Sequence, residues 1–487
     1  MKILLIVPRN KSLFGDKGMT AHPHIGIAYL SAYLRQNSVE AKVFDDGVEE
    51  DIGKLNQLIA QFKPDIIGIT IFSYCYKRAY ELVELIKAAR IPIVAGGPHI
   101  SAVGKKILLD TGIEFAVKQE GEYTLLELIK EMGETNPDFS QVRGLIWRNS
   151  LGEVIENPNR EFIADLDSLP LPDYDSFGIG KYICYKEKMR PLITSRGCPF
   201  GCNYCSVRLS MGQNFRARSA QNVFKEIKYF YDRGVRNLDF NDDCFSLDKR
   251  RAEEICDLII QNKLKIRFQL YNGIRVDTVD FSLLKKMREA GCYFVSYGCE
   301  AGNNKILKII NKGITLEQVR ETVNLTNRVG IRNSVNFIVG HKEESYQDAL
   351  DTLNFARSLP TDFVNFYNLL PYPGTEAFTW ASEHAKFLIP LDSFLDAISY
   401  RDNKPVFETE EFTKEEREKV VALGFDLYRQ RILVFRLGKI IGNIIYFITA
   451  NTKINKSLTH FALNNPFGRA IYIMLSHRSF KPREENV

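Results

Sequence analysis

The sequence predicts an α/β protein in which a doubly wound parallel sheet is followed by a partial (β/α)6 barrel and a mostly helical C-terminal region. Over residues 1–131, apolar strand-like runs alternate with amphipathic helix patterns, which is typical of a parallel sheet with helices on both faces. Between residues 191 and 369 the same alternation recurs six times and predicts the barrel. The proline-rich run Asp165–Asp175 lies between the two regions and disfavours regular structure, which indicates a linker.

These patterns divide the chain into four predicted segments: residues 1–135, a linker with a hairpin at 136–185, the barrel at 186–375, and a basic helical region at 376–487. In the first segment we predict strands and helices in strict alternation: Lys2–Val7, Gly26–Gln36, Ala41–Phe44, Ile52–Phe62, Asp65–Ile71, Arg78–Ala89, Pro92–Ala95, Val103–Thr111, Phe115–Val117 and Thr124–Glu131. This arrangement is Rossmann-like, and such sheets bind ligands beyond the carboxyl ends of their strands.

Glycines and small polar residues lie at those strand ends, where they would let a large ligand approach the backbone: Gly26, Thr70, Ser73, Gly96, Gly97 and Gly121. No G-x-G-x-x-G follows the first strand, so a dinucleotide is not the expected ligand.

The same sequence patterns predict the elements of the linker and the barrel. Leu145–Arg148 and Glu153–Ile155 predict the hairpin. The barrel strands and helices are predicted at Pro191–Ser195, Ala220–Arg233, Val235–Phe240, Lys249–Gln261, Lys265–Leu270, Phe281–Ala290, Tyr293–Tyr297, Leu316–Val329, Arg332–Val339, Ser345–Ser358 and Phe363–Leu369. Polar residues gather where barrel strands end, the position at which such folds carry their active sites: Asp242, Asp243, Glu300 and Asn336.

Three cysteines follow the first barrel strand in a C-x3-C-x2-C run: Cys198, Cys202 and Cys205. Three thiolates on one short loop can hold three irons of a four-iron cluster and leave the fourth iron open to a ligand. A structural zinc site usually has four closed ligands, often from paired C-x2-C elements, and the sequence offers no second pair. The other six cysteines occur singly, so we predict that they pack as small core residues.

The cysteine spacing, with Tyr204 before the last thiolate, resembles the signature of the radical S-adenosylmethionine (SAM) superfamily. The resemblance implies a 4Fe-4S cluster on the three cysteines, whose open iron binds the amino and carboxylate groups of SAM. It also implies that Tyr204 lies near the adenine and that Glu300, in Tyr-Gly-Cys-Glu-Ala-Gly, helps to hold SAM. Asn336, in Asn-Phe-Ile-Val-Gly, falls in a second SAM element of the family. Two roles stay open for Asp242 and its neighbour Asp243: contact with SAM or substrate, or simple capping.

The first segment resembles the cobalamin-binding domain, whose pattern is D-x-H-x-x-G, then S-x-L, then G-G. Gly26 fits the first glycine, Thr70 begins the S-x-L position, and Gly96 and Gly97 fit the pair. The axial histidine position is Pro23, so the lower cobalt ligand is expected to be missing. The resemblance therefore implies cobalamin bound without a protein imidazole; the alternative is an empty Rossmann-like domain.

Together the two resemblances imply a cobalamin-dependent radical SAM enzyme of the class B methyltransferase type, related to the anaerobic Mg-protoporphyrin monomethyl ester cyclase group. The implied reaction is reductive SAM cleavage followed by methylation of an unactivated carbon, with electrons from a donor such as flavodoxin or ferredoxin. Two alternatives stay open: a cobalamin-dependent radical cyclase or rearrangement enzyme without methyl transfer, and a non-catalytic cobalamin sensor.

Charge and hydropathy restrict the partners and the compartment. The net charge is +5, and residues 431–487 carry nine Lys or Arg against two Glu, so the preceding part is close to neutral and nucleic-acid binding is not expected. The apolar run Ile432–Ala450 predicts one amphipathic helix with Arg436, Lys439 and Asn443 on a single stripe. That helix could pack internally or contact an anionic membrane surface, in which case a lipid-like substrate would suit it. We expect a cytoplasmic protein that acts on a small molecule; membrane association through the C-terminal region is the alternative to internal packing of that helix.

Overall fold

The computed structural model describes residues 1–9, 22–49, 51–186, 188–391, 393–395 and 403–450. These residues form two compact units: unit 1 comprises Met1–Ile266 with Leu370–Phe407, and unit 2 comprises Arg267–Leu369 with the chain from Glu408 onward. The predicted fold class, an α/β protein with a parallel-sheet N-terminal domain, a barrel-type core and a helical C-terminal region, is confirmed.

The N-terminal part of unit 1 is a seven-stranded sheet with the order β2-β1-β3-β4-β5-β6-β7. Its elements in chain order are β1 (Lys2–Val7), α1 (Ile25–Gln36), β2 (Glu40–Asp45), α2 (Gly53–Phe62), β3 (Ile66–Thr70), α3 (Tyr76–Ile86), β4 (Ile93–Gly96), α4 (Pro98–Val103), α5 (Lys106–Thr111), β5 (Phe115–Val117), α6 (Gly121–Glu131), β6 (Leu145–Arg148) and β7 (Val154–Glu156). Every residue of β3 is buried, as expected for a central strand covered on both faces.

The predicted hairpin extends this sheet. Strand β6 pairs antiparallel with β5, Trp147 opposite Phe115, and β7 pairs antiparallel with β6. The pairing follows from the apolar side chains of β6, which pack on the same core as the parallel strands.

The remainder of unit 1 up to residue 266 carries the cysteine run. Its elements are α7 (Ile183–Lys186), β8 (Met189–Leu192), β9 (Ser195–Arg196), α8 (Val207–Ser210), β10 (Arg216–Ala217), α9 (Ala220–Asp232), β11 (Asn237–Phe240) and α10 (Lys249–Gln261). Strand β8 pairs in parallel with β11. The chain then leaves this pairing, and β9 forms an antiparallel pair with β10. The single strand predicted at Pro191–Ser195 is therefore divided between two sheets.

Unit 2 contains four parallel strands, with β12 next to β13, β13 next to β14 and β14 next to β15. Its elements begin with β12 (Arg267–Leu270), α11 (Phe281–Glu289), β13 (Cys292–Glu300), α12 (Asn304–Ile309), α13 (Leu316–Arg328), β14 (Arg332–Val339), α14 (Tyr346–Ser358) and β15 (Phe363–Asn368). Side chains alternate along β14, so Val335 and Phe337 are fully buried against the helices while Ser334 and Asn336 occupy the opposite face.

The last described elements are α15 (Glu376–His384), β16 (Lys386–Phe387), β17 (Phe407–Glu408), α16 (Lys414–Leu437) and α17 (Lys439–Ala450). Helix α16 packs along β15, where a Cβ on Gly424 would lie 2.4 Å from the ring of Phe366. It thereby covers a strand edge that would otherwise present unpaired backbone groups.

Two predicted helices are broken by glycines with positive φ. The helix predicted at Val103–Thr111 starts later, as α5 at Lys106, because Gly104, with φ of 58°, ends the unpredicted helix α4 at Val103. The prediction of one amphipathic helix over Ile432–Ala450 is wrong, because Gly438 has φ of 79° and separates α16 from α17. Arg436 and Lys439 thus lie on different helices and share no stripe. No helix among the described residues is long and apolar enough to cross a membrane.

We predict that Asp45→Asn becomes more stable than the wild type as the pH rises. Asp45 ends β2 and accepts hydrogen bonds from the Tyr182 hydroxyl at 2.7 Å and the Gly47 amide at 2.7 Å. Burial raises its pKa from 3.8 to about 6. A carboxyl with a raised pKa stabilises the fold below its ordinary pKa, and this contribution is lost as the pH rises through about 6.

The measurement is the unfolding free energy of both proteins between about pH 4 and about pH 8. Asparagine can accept from the Gly47 amide with its oxygen and donate its N–H to the Tyr182 hydroxyl oxygen, so the variant should gain up to about 3 kcal/mol on the wild type across this window. Parallel curves for the two proteins would contradict the prediction.

Candidate functional site

The three predicted cluster ligands lie in one loop between β9 and α8. The Cys205 amide donates to the Cys202 carbonyl at 3.2 Å, and the Cys198 amide donates to the Gly212 carbonyl at 3.3 Å. Cys202 is buried, while Cys198 and Cys205 are half-buried, and all three are thiols. Tyr204 is half-buried within the turn that carries the last two cysteines. The loop therefore holds three sulfur donors in a folded backbone, with Tyr204 between the last two.

The residue before the first cysteine has to be glycine. Gly197 has φ of 84°, and a Cβ there would lie 2.3 Å from the Asn214 carbonyl oxygen. Its amide donates to Asp243 Oδ2 at 2.9 Å. The far side of the loop is held as well, because the Ala377 amide at the start of α15 donates to the Asn203 carbonyl at 3.1 Å.

Asp242 and Asp243 follow β11 and have different tasks. Asp242 is fully enclosed and accepts from the Thr194 amide, the Thr194 hydroxyl and the Ser195 hydroxyl at 2.5–2.7 Å. Its carboxylate is thus engaged with the segment that leads into β9. Burial raises the pKa of Asp243 to about 6, and its side chain is half-buried beside Gly197. The geometry gives Asp242 a supporting position and makes Asp243 the more accessible of the two.

A buried ionic cluster fixes the base of the cysteine loop. Glu120 accepts from Arg196 Nη1 at 2.8 Å, from Arg216 Nη1 at 2.8 Å and from the Ile163 amide at 2.7 Å. Arg196 also donates to Glu122 at 2.8 Å. Burial opposes the charge of Arg196, but Glu122 and Glu120 outweigh it and raise the pKa of the guanidinium. Because Arg196 and Arg216 lie on the paired strands β9 and β10, the two ends of the loop share the Glu120 carboxylate.

The predicted cobalamin residues meet at one edge of the first sheet. Gly97, with φ of 101°, packs so closely on β3 that a Cβ would lie 2.8 Å from the Ile71 carbonyl and 2.9 Å from the Thr70 hydroxyl. At Gly96, by contrast, a Cβ would meet nothing within 4 Å. The edge is therefore tight at one glycine and open at the next, as a cradle for a large planar ligand requires.

The other predicted residues of this edge serve the local fold. Ser73 lies 3.1 Å from the Nδ1 of His99, whose ring stacks on Tyr76. A Cβ on Gly121 would meet Leu30 at 3.2 Å, and one on Gly26 would meet His24 at 3.1 Å. These contacts hold the strand ends in place around the open position at Gly96.

His24 lies one residue from the position of the absent axial histidine. Its Nδ1 accepts from the Ile27 amide at 3.1 Å and caps α1, and burial lowers its pKa to about 4. Among the residues that the structure describes, none forms a hydrogen bond with the buried Nε2 of this neutral ring. Its ring lies 5.1 Å from that of Phe72, which stacks on Tyr74. An open glycine edge, a buried unsatisfied ring nitrogen and an aromatic series fit a large cofactor.

Unit 2 carries the two remaining predicted SAM residues, Glu300 and Asn336. Glu300 ends β13 at a register shift and has φ of 74°, which is uncommon for a side chain other than glycine. Its Oε1 accepts from Lys312 Nζ at 2.9 Å. A Cβ on Gly298 would lie 2.3 Å from that oxygen, so the glycine is what leaves room for the carboxylate. Backbone strain held by surrounding contacts is typical of functional sites.

Asn336 belongs to a hydrogen-bonded line of side chains on the inner face of the unit 2 strands. Asn365 Nδ2 donates to Asn336 Oδ1 at 2.8 Å, and Asn336 Nδ2 donates to the Ser296 hydroxyl at 2.9 Å. The Ser334 hydroxyl donates to Ser296 at 2.7 Å. These side chains line a cavity of about 190 Å³.

The donor chemistry fits the implied cofactors. Three thiol sulfurs in one loop, without a fourth cysteine nearby in sequence, suit an iron–sulfur cluster with one open iron. In the described part of the chain, no three His, Cys, Asp or Glu side chains converge on a position that would hold a single metal ion.

Several supporting residues were not predicted as site residues: Glu120, Arg196, Arg216, Lys312 and Asn365. Arg196 could have been recognised, because a charged residue in an apolar strand, two residues before Cys198, needs a buried partner. Asn365 could also have been recognised, because it places a polar side chain within an otherwise largely apolar strand.

Comparisons with known proteins identify both parts of the chain. Residues 192–356 match the Radical SAM superfamily, and residues 15–129 match the B12 binding domain. An uncharacterized methyltransferase of Pyrococcus horikoshii is 30% identical over 442 residues, which span 89% of this chain and 94% of that protein. The chain belongs to the cobalamin-dependent radical SAM family. The anaerobic magnesium-protoporphyrin IX monomethyl ester cyclase of Rubrivivax gelatinosus is 28% identical over 391 residues, 78% of this chain and 69% of that protein.

Solved structures agree on the fold. The cobalamin-dependent radical enzyme OxsB, with aqua-cobalamin and SAM bound, superposes with a TM-score of 0.73 at 19% identity and covers 97% of this chain and 74% of its own. The methyltransferase TsrM of Kitasatospora setae gives 0.66 at 20% identity, with 78% of each chain covered. The predicted family, the assignment as an enzyme, and the three cofactors (4Fe-4S cluster, SAM and cobalamin) are thereby confirmed.

We predict that Glu120→Gln weakens both the fold and cluster loading of this radical SAM enzyme. The substitution leaves two buried guanidiniums without their shared counter-charge, and breaking a buried ion pair in this way costs about 3 kcal/mol or more. The loop ends should then separate more readily. The measurements are the melting temperature of the apoprotein and iron per chain after anaerobic reconstitution.

Glu161→Gln is the matched control, since it neutralises an exposed glutamate close in sequence to Ile163. It should behave like the wild type. Full iron loading and an unchanged melting temperature in Glu120→Gln would show that the ionic cluster does not hold the loop.

Proposed function

We propose that this enzyme cleaves SAM reductively and methylates an unactivated carbon of a small-molecule substrate. The observation that carries the proposal is the coexistence of a cysteine loop with three sulfur donors and an open glycine edge in the B12-binding region. The similarity to methyltransferases of the same family supports methyl transfer over a purely oxidative outcome.

Each side chain has a proposed role. Cys198, Cys202 and Cys205 would ligate the cluster, and Tyr204 would pack near the adenine of SAM. Glu300, which pairs with Lys312, would accept a hydrogen bond from the amino group of SAM. When bound, the cluster supplies the electron that splits the sulfonium of SAM, and cobalamin supplies the methyl group for transfer.

The chain itself would bind, orient and exclude water. Asp242 and Asp243 would act as positioning residues, because they hold Thr194 and Gly197 on the segment leading into the loop. Thr70, Ser73, Gly96, Gly97, Gly121 and Gly26 would form the cobalamin edge. Pro23 stands where the family pattern has a histidine, so that side chain would offer cobalamin no nitrogen ligand.

A second candidate is cyclisation or rearrangement without methyl transfer, and the similarity to the anaerobic cyclase of Rubrivivax gelatinosus favours it. Either reaction needs a low-potential reductant, for which a flavodoxin or ferredoxin is suitable, and a compartment where thiols stay reduced, so we expect the cytoplasm. Four exposed apolar side chains of α17, namely Ile440, Ile441, Ile444 and Phe447, are the surface at which the possible membrane contact should be sought.

The decisive experiment is anaerobic reconstitution with iron, sulfide and cobalamin, followed by reduction in the presence of SAM carrying a labelled methyl group and a small-molecule extract. Deoxyadenosine together with label in a new product supports methylation. Deoxyadenosine with an unlabelled new product favours the second candidate, and the absence of deoxyadenosine points to a sensor.

Cys202→Ala should abolish reductive SAM cleavage and spare cobalamin uptake. Cys202 is the buried member of the cysteine loop, and cobalamin would bind at a separate glycine edge. Cleavage is measured as deoxyadenosine, and cobalamin as the visible spectrum of the gel-filtered protein. The Cys256→Ala variant, which alters a buried cysteine of α10, serves as the control. Retained cleavage in Cys202→Ala would refute the ligand assignment.

Gly298→Ala should weaken SAM binding about tenfold, since displacing a charged hydrogen bond has an effect of this order. The new Cβ would fall 2.3 Å from Glu300 Oε1 and 3.2 Å from Lys312 Nζ, so the pair has to move. Affinity is measured by equilibrium dialysis of SAM with the reconstituted protein. Gly180→Ala, where a Cβ meets nothing within 4 Å, is the control. Equal affinities in all three proteins would argue against the proposed role of Glu300.

A further inference from the structure

The cavity on the inner face of the unit 2 strands has a defined chemistry. Its volume of about 190 Å³ equals that of about six water molecules at roughly 30 Å³ each. It is therefore large enough for a small ring system and too small to enclose a tetrapyrrole. Drug-sized ligands usually occupy 300 Å³ or more, so the cavity fits one part of a substrate.

The polar wall is a chain of neutral groups with fixed directions. Asn365 donates one N–H to Asn336, Asn336 donates to Ser296, and Ser334 also donates to Ser296. Each amide has two N–H groups and one carbonyl oxygen, so these bonds leave Asn365 with its oxygen and one N–H. An amide edge held in place by a neighbour can accept from and donate to a matching edge on a ligand.

The remaining walls are aromatic. The ring of Tyr271, which follows β12, lies 4.8 Å from the ring of Phe294 on β13, and the rings of Phe363 on β15 and Tyr428 on α16 lie 6.1 Å apart. All four residues line the cavity. Aromatic walls on both sides favour a planar ligand, because offset stacking adds to the burial of apolar area.

Every lining residue in the described chain is uncharged. The arginine on the same face, Arg332, lies at the start of β14 and is paired with Asp362 at 2.8 Å. A carboxylate or phosphate in the cavity would therefore lose its hydration without gaining a counter-charge, which is strongly unfavourable. The lining selects for neutral groups.

The cavity extends along β13 and β14 toward the Glu300 position. Phe294 and Ser296 precede Glu300 by six and four residues on β13, which corresponds to about 13–20 Å at 3.3 Å per residue, whereas Asn336 lies opposite Gly298, two residues before Glu300. Phe363, Asn365 and Tyr428 lie outside the stretch that matches the Radical SAM superfamily, which ends at residue 356. The cavity is thus built partly by segments that lie beyond the matched stretch.

From these observations we infer that the cavity binds an uncharged planar ring with an amide-like edge, and that this ring belongs to the substrate. The inference rests on the proposed function, because it assigns the substrate class to the same enzyme. Tyr428 gives the C-terminal helix α16 a role in substrate selection.

The test uses the anaerobically reconstituted full chain and three probes of similar size: benzamide, benzoate and cyclohexanecarboxamide. Benzoate replaces the amide by a charge, and cyclohexanecarboxamide keeps the amide but lacks the planar ring. Binding is measured by saturation-transfer NMR titration, which needs no turnover. We expect benzamide to bind at least about tenfold more tightly than either of the others.

Variants locate the binding. Asn365→Leu removes the amide edge at similar volume, and Tyr428→Leu removes one aromatic wall. Each substitution should lower the affinity for benzamide about fivefold to tenfold. Phe425→Leu, an exposed position on the same helix, is the matched control and should bind like the wild type. Equal affinities for benzamide and benzoate, or unaltered binding in both cavity variants, would overturn the inference.

A parallel arm distinguishes the substrate from the adenine of SAM, which is also a neutral planar ring. SAM affinity is measured in the same variants, and SAM is added as a competitor against benzamide. Additive binding of SAM and benzamide supports a substrate site. Displacement of benzamide by SAM, together with matching losses of SAM affinity in Asn365→Leu, would assign the cavity to the cofactor and overturn the proposal. Because probe binding needs no SAM cleavage, failure here is distinct from failure of the proposed function.

Discussion

The carboxylate of Glu120 connects three segments of unit 1 that are far apart in sequence. It accepts from Arg196 before the cysteine loop, from Arg216 after it, and from the Ile163 amide. Glu120 and the two arginines offset the cost of one another's burial, and Glu122 is a second partner of Arg196, because desolvating an unpaired ion costs several kcal/mol. A loop that must hold three thiols at fixed separations needs closed ends, and here the closure is electrostatic.

The two aspartates after β11 also hold the segment that leads into the cysteine loop. Asp242 binds the backbone and hydroxyl of Thr194, and Asp243 binds the amide of Gly197. Each acidic residue therefore binds the chain just before the first cysteine instead of the cysteines themselves. Hydrogen bonds of this kind, made around the ligands and not to the metal, orient the ligands of a metal site. Gly197 supplies the positive φ at the start of the loop, because glycine adopts that conformation readily.

Much of the fold was predictable because it rests on periodicity. Strands β1, β5 and β14 and helix α10 begin and end where their apolar pattern does. The cysteine loop was predictable from spacing alone. The break at Gly438 was not, since the flanking apolar residues read as one continuous helix and the glycine's positive φ depends on how α17 folds back on α16. The role of Glu120 was also hidden, because its partners lie 76 and 96 residues away.

The groups that anchor the cysteine loop and the groups that line the unit 2 cavity have no residue in common. Arg196 and Glu120 hold charge in a buried network, whereas the cavity is neutral and aromatic. A substitution in the cavity can therefore alter ligand chemistry while every hydrogen bond of the loop is kept. Since Asn365 and Tyr428 lie beyond the superfamily match, substrate choice can diverge at the C-terminal strand and helix while the radical machinery is retained.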